Sequence, residues 1–155
     1  MITLQKITSK NIEYIQGLKA DEKFVATNTD SLAEAYAYYV EFGFGPLAYG
    51  IYHNDEPVGF IMVDYQKDDE KINDKKPYYF LWRMMLDEKQ QNKGYGRAAL
   101  ELMMQEVRTF PLGEADKIFT SVEPSNTVAT KFYESFGFVK NGQINYGEEV
   151  MELVL

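Results

Sequence analysis

The stretch QQNKGYGRAALELMMQEV, residues 90–107, sets three side-chain amides, a lysine and two glycines ahead of a regular apolar repeat. From Tyr95 onward, Ala98, Ala99, Leu102, Met103 and Val107 recur at the spacing of a helix with one apolar face. Glycine is a poor helix former, yet Gly94 and Gly96 stand where this helix begins. A helix N-terminus carries orphan N–H groups and a partial positive charge, which makes it an anion site. Glycine lets the backbone approach an anion with no Cβ in the way. The pattern Gln91-x-x-Gly94-x-Gly96 therefore reads as a phosphate cradle, with Lys93 and Arg97 adding charge nearby.

Outward from this stretch, PYYFLWRMML before it is long and apolar enough for a well-buried central strand. KIFTSV reads as another strand. SNTVATKFYESFGF reads as a helix with Val128, Ala129, Phe132, Tyr133 and Phe136 facing inward and Gly137 as its C-terminal stop. Nearer the start, ITLQKI alternates as a strand, and a short helix follows with Thr8 or Ser9 as its cap. SLAEAYAYYVEF is a second helix, capped by Asp30 or Ser31 and broken by the GFGP run from Gly43 to Pro46. A hairpin turns at Asn54 to Pro57, a charged loop KDDEKINDKK follows, and two last strands pair around YGEE. The order β-α-α-β-β-β-α-β-α-β-β predicts one α/β domain over residues 1–155. Its central sheet is expected to be mixed and largely antiparallel, with helices on both faces.

Composition narrows the chemistry. The chain has 155 residues, 45% apolar and 26% charged, an ordinary globular balance. With no cysteine, disulfides, thiolate metal sites and cysteine nucleophiles are excluded. The single histidine, His53, excludes a multi-histidine metal site, and no metal is expected. His53 itself sits beside a hairpin turn and reads as solvated. No apolar run approaches the roughly 20 residues of a membrane span, and MITLQKITSK lacks the layout of a secretory signal. A cytoplasmic setting is the expectation. The net charge is −8 with no Lys/Arg cluster, so no nucleic-acid partner is expected. An acidic surface suits a cationic partner, or simply keeps the protein soluble.

Three phosphate motifs compete for residues 91–97. A P-loop needs G-x-x-x-x-G-K-[ST], which is absent. Gly94-Tyr95-Gly96-Arg97-Ala98-Ala99 matches the dinucleotide pattern G-x-G-x-x-A, but DEKQQNK separates the strand end at Leu86 from Gly94. The third motif fits more of the chain. Q-x-x-G-x-G, entered from a buried strand and followed by a helix, resembles the pyrophosphate loop of the GNAT acyltransferases. NTVATKFYESFGF downstream resembles the same family's N-x-x-A-x-x-[FL]-Y-x-x-x-G-F, in the same order and separation.

The resemblance implies a GNAT fold whose sheet is split by a cofactor cleft, and acetyl-CoA as donor. Gln91, Asn92, Lys93, Gly94, Tyr95, Gly96 and Arg97 would hold the pyrophosphate. Met84, Met85 and Leu86 would pair with the pantetheine arm, as an added strand does. The backbone N–H of Leu86 or a neighbour would face the thioester oxygen. Tyr133 falls at the family's general-acid position, and also reads as core. Asn126 falls where the family touches the cofactor arm, and also reads as a helix cap. No base stands out; Glu123, just after KIFTSV, is a weak candidate.

The hairpin, acidic loop and central strand together resemble the small diamine and polyamine acetyltransferases. That resemblance implies a small cationic amine such as spermine or spermidine. Asp68, Tyr36, Tyr39 and Trp82 would line its site, since aromatic walls with carboxylates suit a polycation. Asp68 also reads as part of a solvated loop. Arg83 departs from the acidic pattern of that group, and would have to point away or pair with Asp64 or Glu101. The alternatives are another amine, such as an antibiotic, an amino acid or a protein N-terminus, and a non-catalytic coenzyme A-binding module. A homodimer through the late strands is a further expectation.

Overall fold

The computed structural model describes residues 1–21 and 23–155. In chain order the elements are β1 (Ile2–Lys6), α1 (Ile12–Gly17), α2 (Asn28–Phe42), β2 (Leu47–His53), β3 (Glu56–Gln66) and β4 (Tyr78–Leu86). A 3₁₀ turn, Glu88–Gln90, leads to α3 (Tyr95–Val107), then β5 (Lys117–Val122), α4 (Thr127–Phe136), β6 (Val139–Asn145) and β7 (Glu148–Val154). Apart from the short 3₁₀ turn, this is the order read from the sequence.

The strands form a seven-stranded sheet in the order β1-β2-β3-β4-β5-β7-β6. The β1–β2, β2–β3, β5–β7 and β6–β7 pairings are antiparallel, and β4–β5 is parallel. Only the parallel pair needs a long crossover, and α3 lies within that connection. The two hairpins turn on left-handed residues, Asn54 (φ 56°) in one and Tyr146 and Gly147 (φ 49° and 80°) in the other. The first turn is thus Asn54-Asp55, and Pro57 already lies in β3.

The chain forms two compact units, Met1–Asp64 with Arg83–Thr109, and Tyr65–Trp82 with Phe110–Leu155. In the first, α3 packs against β1. It buries Ala99, Leu100, Met103, Met104 and Val107, while Tyr95, Ala98 and Leu102 are only half-buried. The inward face is therefore rotated toward Leu100 and Met104 relative to the sequence reading. In the second unit Tyr78, Phe119 and Val150 form a core cluster against Ile72 and Phe80. Tyr65 and Tyr79 pack with ring centroids 4.9 Å apart and planes tilted by 46°, and donate their hydroxyls to the carbonyls of Glu114 and Gly113, at 2.9 and 2.8 Å.

Three local expectations are corrected. Thr27 caps α2, accepting the Asp30 N–H at 3.1 Å, so the helix begins earlier than Ser31. α1 starts after Asn11, not at Thr8 or Ser9. Val128 is 79% exposed rather than inward, because it occupies the first turn of α4.

Candidate functional site

The first compact unit carries the loop that leaves β4. Asp87 organises it: its carboxylate accepts the N–H groups of Lys89 (3.1 Å) and Lys19 (3.0 Å). The Glu88 N–H reaches the Lys19 carbonyl at 2.8 Å. The Gln91 side-chain amide donates back to the Leu86 carbonyl at 3.3 Å, closing the loop on the strand it left. Asn92 (φ 62°) and Gly94 (φ 79°) then take left-handed backbone. A Cβ on Gly94 would meet no protein atom within 4 Å, so among the protein's own contacts it is the dihedral that calls for glycine there.

The first helical bond of α3 runs from the Ala98 N–H to the Gly94 carbonyl at 3.3 Å. The N–H groups of Tyr95, Gly96 and Arg97 come before it, and no side chain caps this end. Three adjacent main-chain donors at the positive end of a helix dipole can take an anion. Around them Gln91, Asn92, Lys93, Gly94 and Arg97 are exposed. Lys93 Nζ donates to the Gln90 side chain at 2.9 Å, and Arg97 Nε meets Glu101 at 3.5 Å. An exposed ion pair such as Arg97–Glu101 is worth about 1 kcal/mol or less.

Just ahead of the loop, the end of β4 has a defined polarity. Met85 turns its carbonyl toward Gly59 of β3, and Asp87 donates its N–H to the Val58 carbonyl at 2.8 Å. Main-chain groups alternate sides along a strand, so the N–H of Leu86, between them, points away from β3. The Met84 N–H is on the same side by the same rule. The register with β5 covers Tyr79 to Leu81, and β4 runs on to Leu86.

The second unit carries Tyr133 on α4. Its ring meets Phe132 and Phe138 edge-on, at 5.3 and 5.6 Å. Burial pushes the phenol up to about 12; a hydrogen bond with the Thr120 side chain opposes this, and the Glu148 carboxylate adds to it. Thr120 is itself held to the Leu81 carbonyl at 3.1 Å, and Glu148 accepts from the Ser121 hydroxyl at 3.0 Å. The phenol therefore stays protonated throughout the neutral range. Asn126 caps α4, its side-chain oxygen accepting the Ala129 N–H at 3.2 Å. Glu123 is tied into the turn ahead of that cap, accepting the Ser125 N–H at 2.8 Å.

The residues expected to contact the acceptor are divided between the units. Tyr36 and Tyr39 stand on α2, 71% and 60% exposed. Asp68 is exposed in the charged loop, and Trp82 is half-buried on β4. Its neighbours in that loop are engaged: Asp69 accepts the Tyr78 hydroxyl at 2.6 Å, and Glu70 pairs with Lys75 at 3.2 Å. Arg83 bonds Glu34 of α2 at 3.3 Å, a partner the strand pattern had not named.

A cavity of about 170 Å³ escaped sequence reading. It lies in the first unit between the α1–α2 segment and Met85, with Gln16, Leu18, Val25, Thr27 and Asn28 in its wall. Asn28 is buried there, donating to the Ile15 carbonyl at 2.8 Å and to the Met85 sulfur at 3.7 Å. Among the described lining residues Lys19 is the one charged group. Its wall comes from a segment with no motif, so no sequence signal marked it.

A helix start that no side chain caps, behind a left-handed loop and a strand with an outward amide, is an arrangement by which main-chain groups can grip a phosphorylated ligand. The acetyltransferase (GNAT) family matches residues 12–138, and the chain belongs to that family. The chain is similar to the spermine/spermidine N(1)-acetyltransferase of Bacillus subtilis strain 168, 32% identical over 103 residues. That alignment covers 66% of each protein, just under two thirds of the relative's length. Among solved structures, the PaiA N-acetyltransferase of Thermoplasma acidophilum in complex with coenzyme A superposes with a TM-score of 0.71 at 14% identity, over 100% of this chain and 99% of that one. Arabidopsis thaliana Naa50, in complex with the bisubstrate analogue CoA-Ac-MVNAL, gives 0.68 at 20% identity, over 98% and 97%. At these identities the structures share the fold. No described helix is long and apolar enough to cross a membrane, and no described cluster of His, Asp or Glu has the makeup of a metal site.

Proposed function

We propose that the protein transfers the acetyl group of acetyl-CoA to a primary amine of a small cationic acceptor of the spermine/spermidine class. The observation that carries the reading is the start of α3, which no side chain caps, behind a loop shaped by Asn92 and Gly94. The Bacillus relative supports the acceptor class, as does the net charge of −8, which attracts polycations.

Acetyl-CoA supplies the activated thioester. The N–H groups of Tyr95, Gly96 and Arg97, with Lys93, hold its pyrophosphate, and Asn126 contacts its arm. Met84, Met85 and Leu86 pair with the amide-rich arm as a strand edge does. The Leu86 N–H receives the negative charge that develops on the carbonyl oxygen, a donor typically worth about 2.7–4 kcal/mol of barrier. The neutral amine attacks the carbonyl carbon, the carbon–sulfur bond breaks, and Tyr133 gives its proton to the departing sulfur. The proton lost by the amine leaves through water. Tyr36, Tyr39, Asp68 and Trp82 engage the acceptor. The same reading places the enzyme in the cytoplasm, on a small molecule rather than nucleic acid, as a homodimer that light scattering would reveal.

A second acceptor class is favoured by one observation. The cavity beside Met85 has an uncharged, partly apolar wall apart from Lys19 among its described lining residues, which suits an uncharged side chain such as that following a peptide's N-terminal amine. The deciding experiment offers acetyl-CoA with a panel of amines and follows free thiol. Turnover of spermine and spermidine is expected. Turnover confined to peptides moves the acceptor to the second class, and binding of coenzyme A without any turnover leaves only a cofactor-binding module.

A further inference from the structure

The anion loop does not hold its shape alone. Two of its residues sit in left-handed backbone, and one of these, Asn92, carries a Cβ. Such backbone persists only where its surroundings impose it. The tip of the β2–β3 hairpin supplies those surroundings. The His53 ring stacks on Tyr95, the first residue of α3, with centroids 4.7 Å apart and planes 20° from parallel. From the other side of the turn, Glu56 accepts the Gln90 side-chain amide at 3.3 Å. Gln90 in turn accepts from Lys93 Nζ at 2.9 Å, and that ammonium lies 5.9 Å over the Tyr95 ring. The contacts close a circuit, Glu56 to Gln90 to Lys93 to Tyr95 to His53, around residues 90–95. The hairpin tip is anchored in turn, since the Asn54 N–H bonds the Met1 carbonyl at 3.0 Å.

We propose that His53 and Glu56 are positioning residues: they brace the anion loop in its binding shape, so that the cofactor meets donors already aimed. This rests on the reading of residues 91–97 as the coenzyme A site. Preorganisation of this kind changes affinity and leaves the chemical step alone. The flat stack explains why an aromatic residue stands at position 53 and needs no proton on it.

The test compares the wild-type protein with His53→Ala, Glu56→Ala, the double variant and His53→Phe. Coenzyme A binding is measured by calorimetry, kinetics with acetyl-CoA, and amide exchange across residues 91–97 without ligand. In the double variant, Kd and KM should rise about fivefold, which is ~1 kcal/mol at 1.4 kcal/mol per tenfold. Exchange of the loop amides should quicken by about the same factor, with kcat within about twofold. His53→Phe should restore binding and exchange, because it keeps the stack. Unchanged exchange in the double variant overturns the brace, as does failure of His53→Phe to rescue, or a fall in kcat parallel to binding. If the wild type binds no coenzyme A while the double variant still loosens the loop, the brace stands and the functional reading falls.

Discussion

Tyr133 carries two readings, core residue and proposed acid, and the structure bears on the first. It packs edge-on against Phe132 and Phe138, and its hydroxyl bonds the side chain of the buried Thr120. A phenol held at about 12 is fully protonated at neutral pH, as an acid must be before it acts. Tyr133→Phe should lower kcat by about a hundredfold or more, with coenzyme A affinity little changed. Equal losses in stopped-flow turnover and calorimetric binding would count against the acid. Gly94 makes a different residue-scale demand. Its φ of 79° costs an L-residue roughly 1–2 kcal/mol. Gly94→Ala should lower stability by about that amount and raise KM for acetyl-CoA, readable from a urea titration and initial rates. The sequence showed that Gly94 matters; only the dihedral shows why.

Among the elements, β4 and α3 carry the proposed site, and each depends on buried residues. A Cβ on Gly59 would collide with the Met85 carbonyl and come within 2.9 Å of Leu86 Cδ2. Backbone cannot yield as a side-chain tip can, so Gly59→Ala should push out the strand end that carries the Leu86 amide. The expected result is a loss of both stability and kcat, measured by thermal melting and thiol release; a silent substitution would show that β4 has slack. α3 is held from below by Leu100 and Met103, both fully buried. Met103→Ala should cost about 2–5 kcal/mol in denaturant unfolding. Val128→Ser on the exposed first turn of α4 should stay within about 0.5 kcal/mol. Periodicity placed both helices but misjudged part of the α3 face, because a 3.6-residue repeat leaves the rotation of a helix to its neighbours.

Over the whole molecule, tyrosines set the alkaline limit. Tyr49, Tyr65, Tyr79 and Tyr133 are all raised, first by burial. For Tyr49 the hydrogen bond to Glu106 adds to it. The folded state holds these protons above the unfolded value of about 10, so their stabilisation is complete below that pH. It is lost as pH climbs through the folded values. Lys140, raised by its bond to Glu149, has the same sign. The urea midpoint should therefore fall steeply from about pH 10 toward 12, and Tyr49→Phe should flatten part of that slope.

The order of the elements and the two ends of α4 were legible because each is written in consecutive residues: apolar period, a capping asparagine, a stop glycine. The amide direction at Leu86, the partner of Arg83, the cavity beside Met85 and the His53–Tyr95 stack were not. Each joins residues far apart in the chain, and only close packing of strands, loops and helices determines which of many chemically equivalent partners meet.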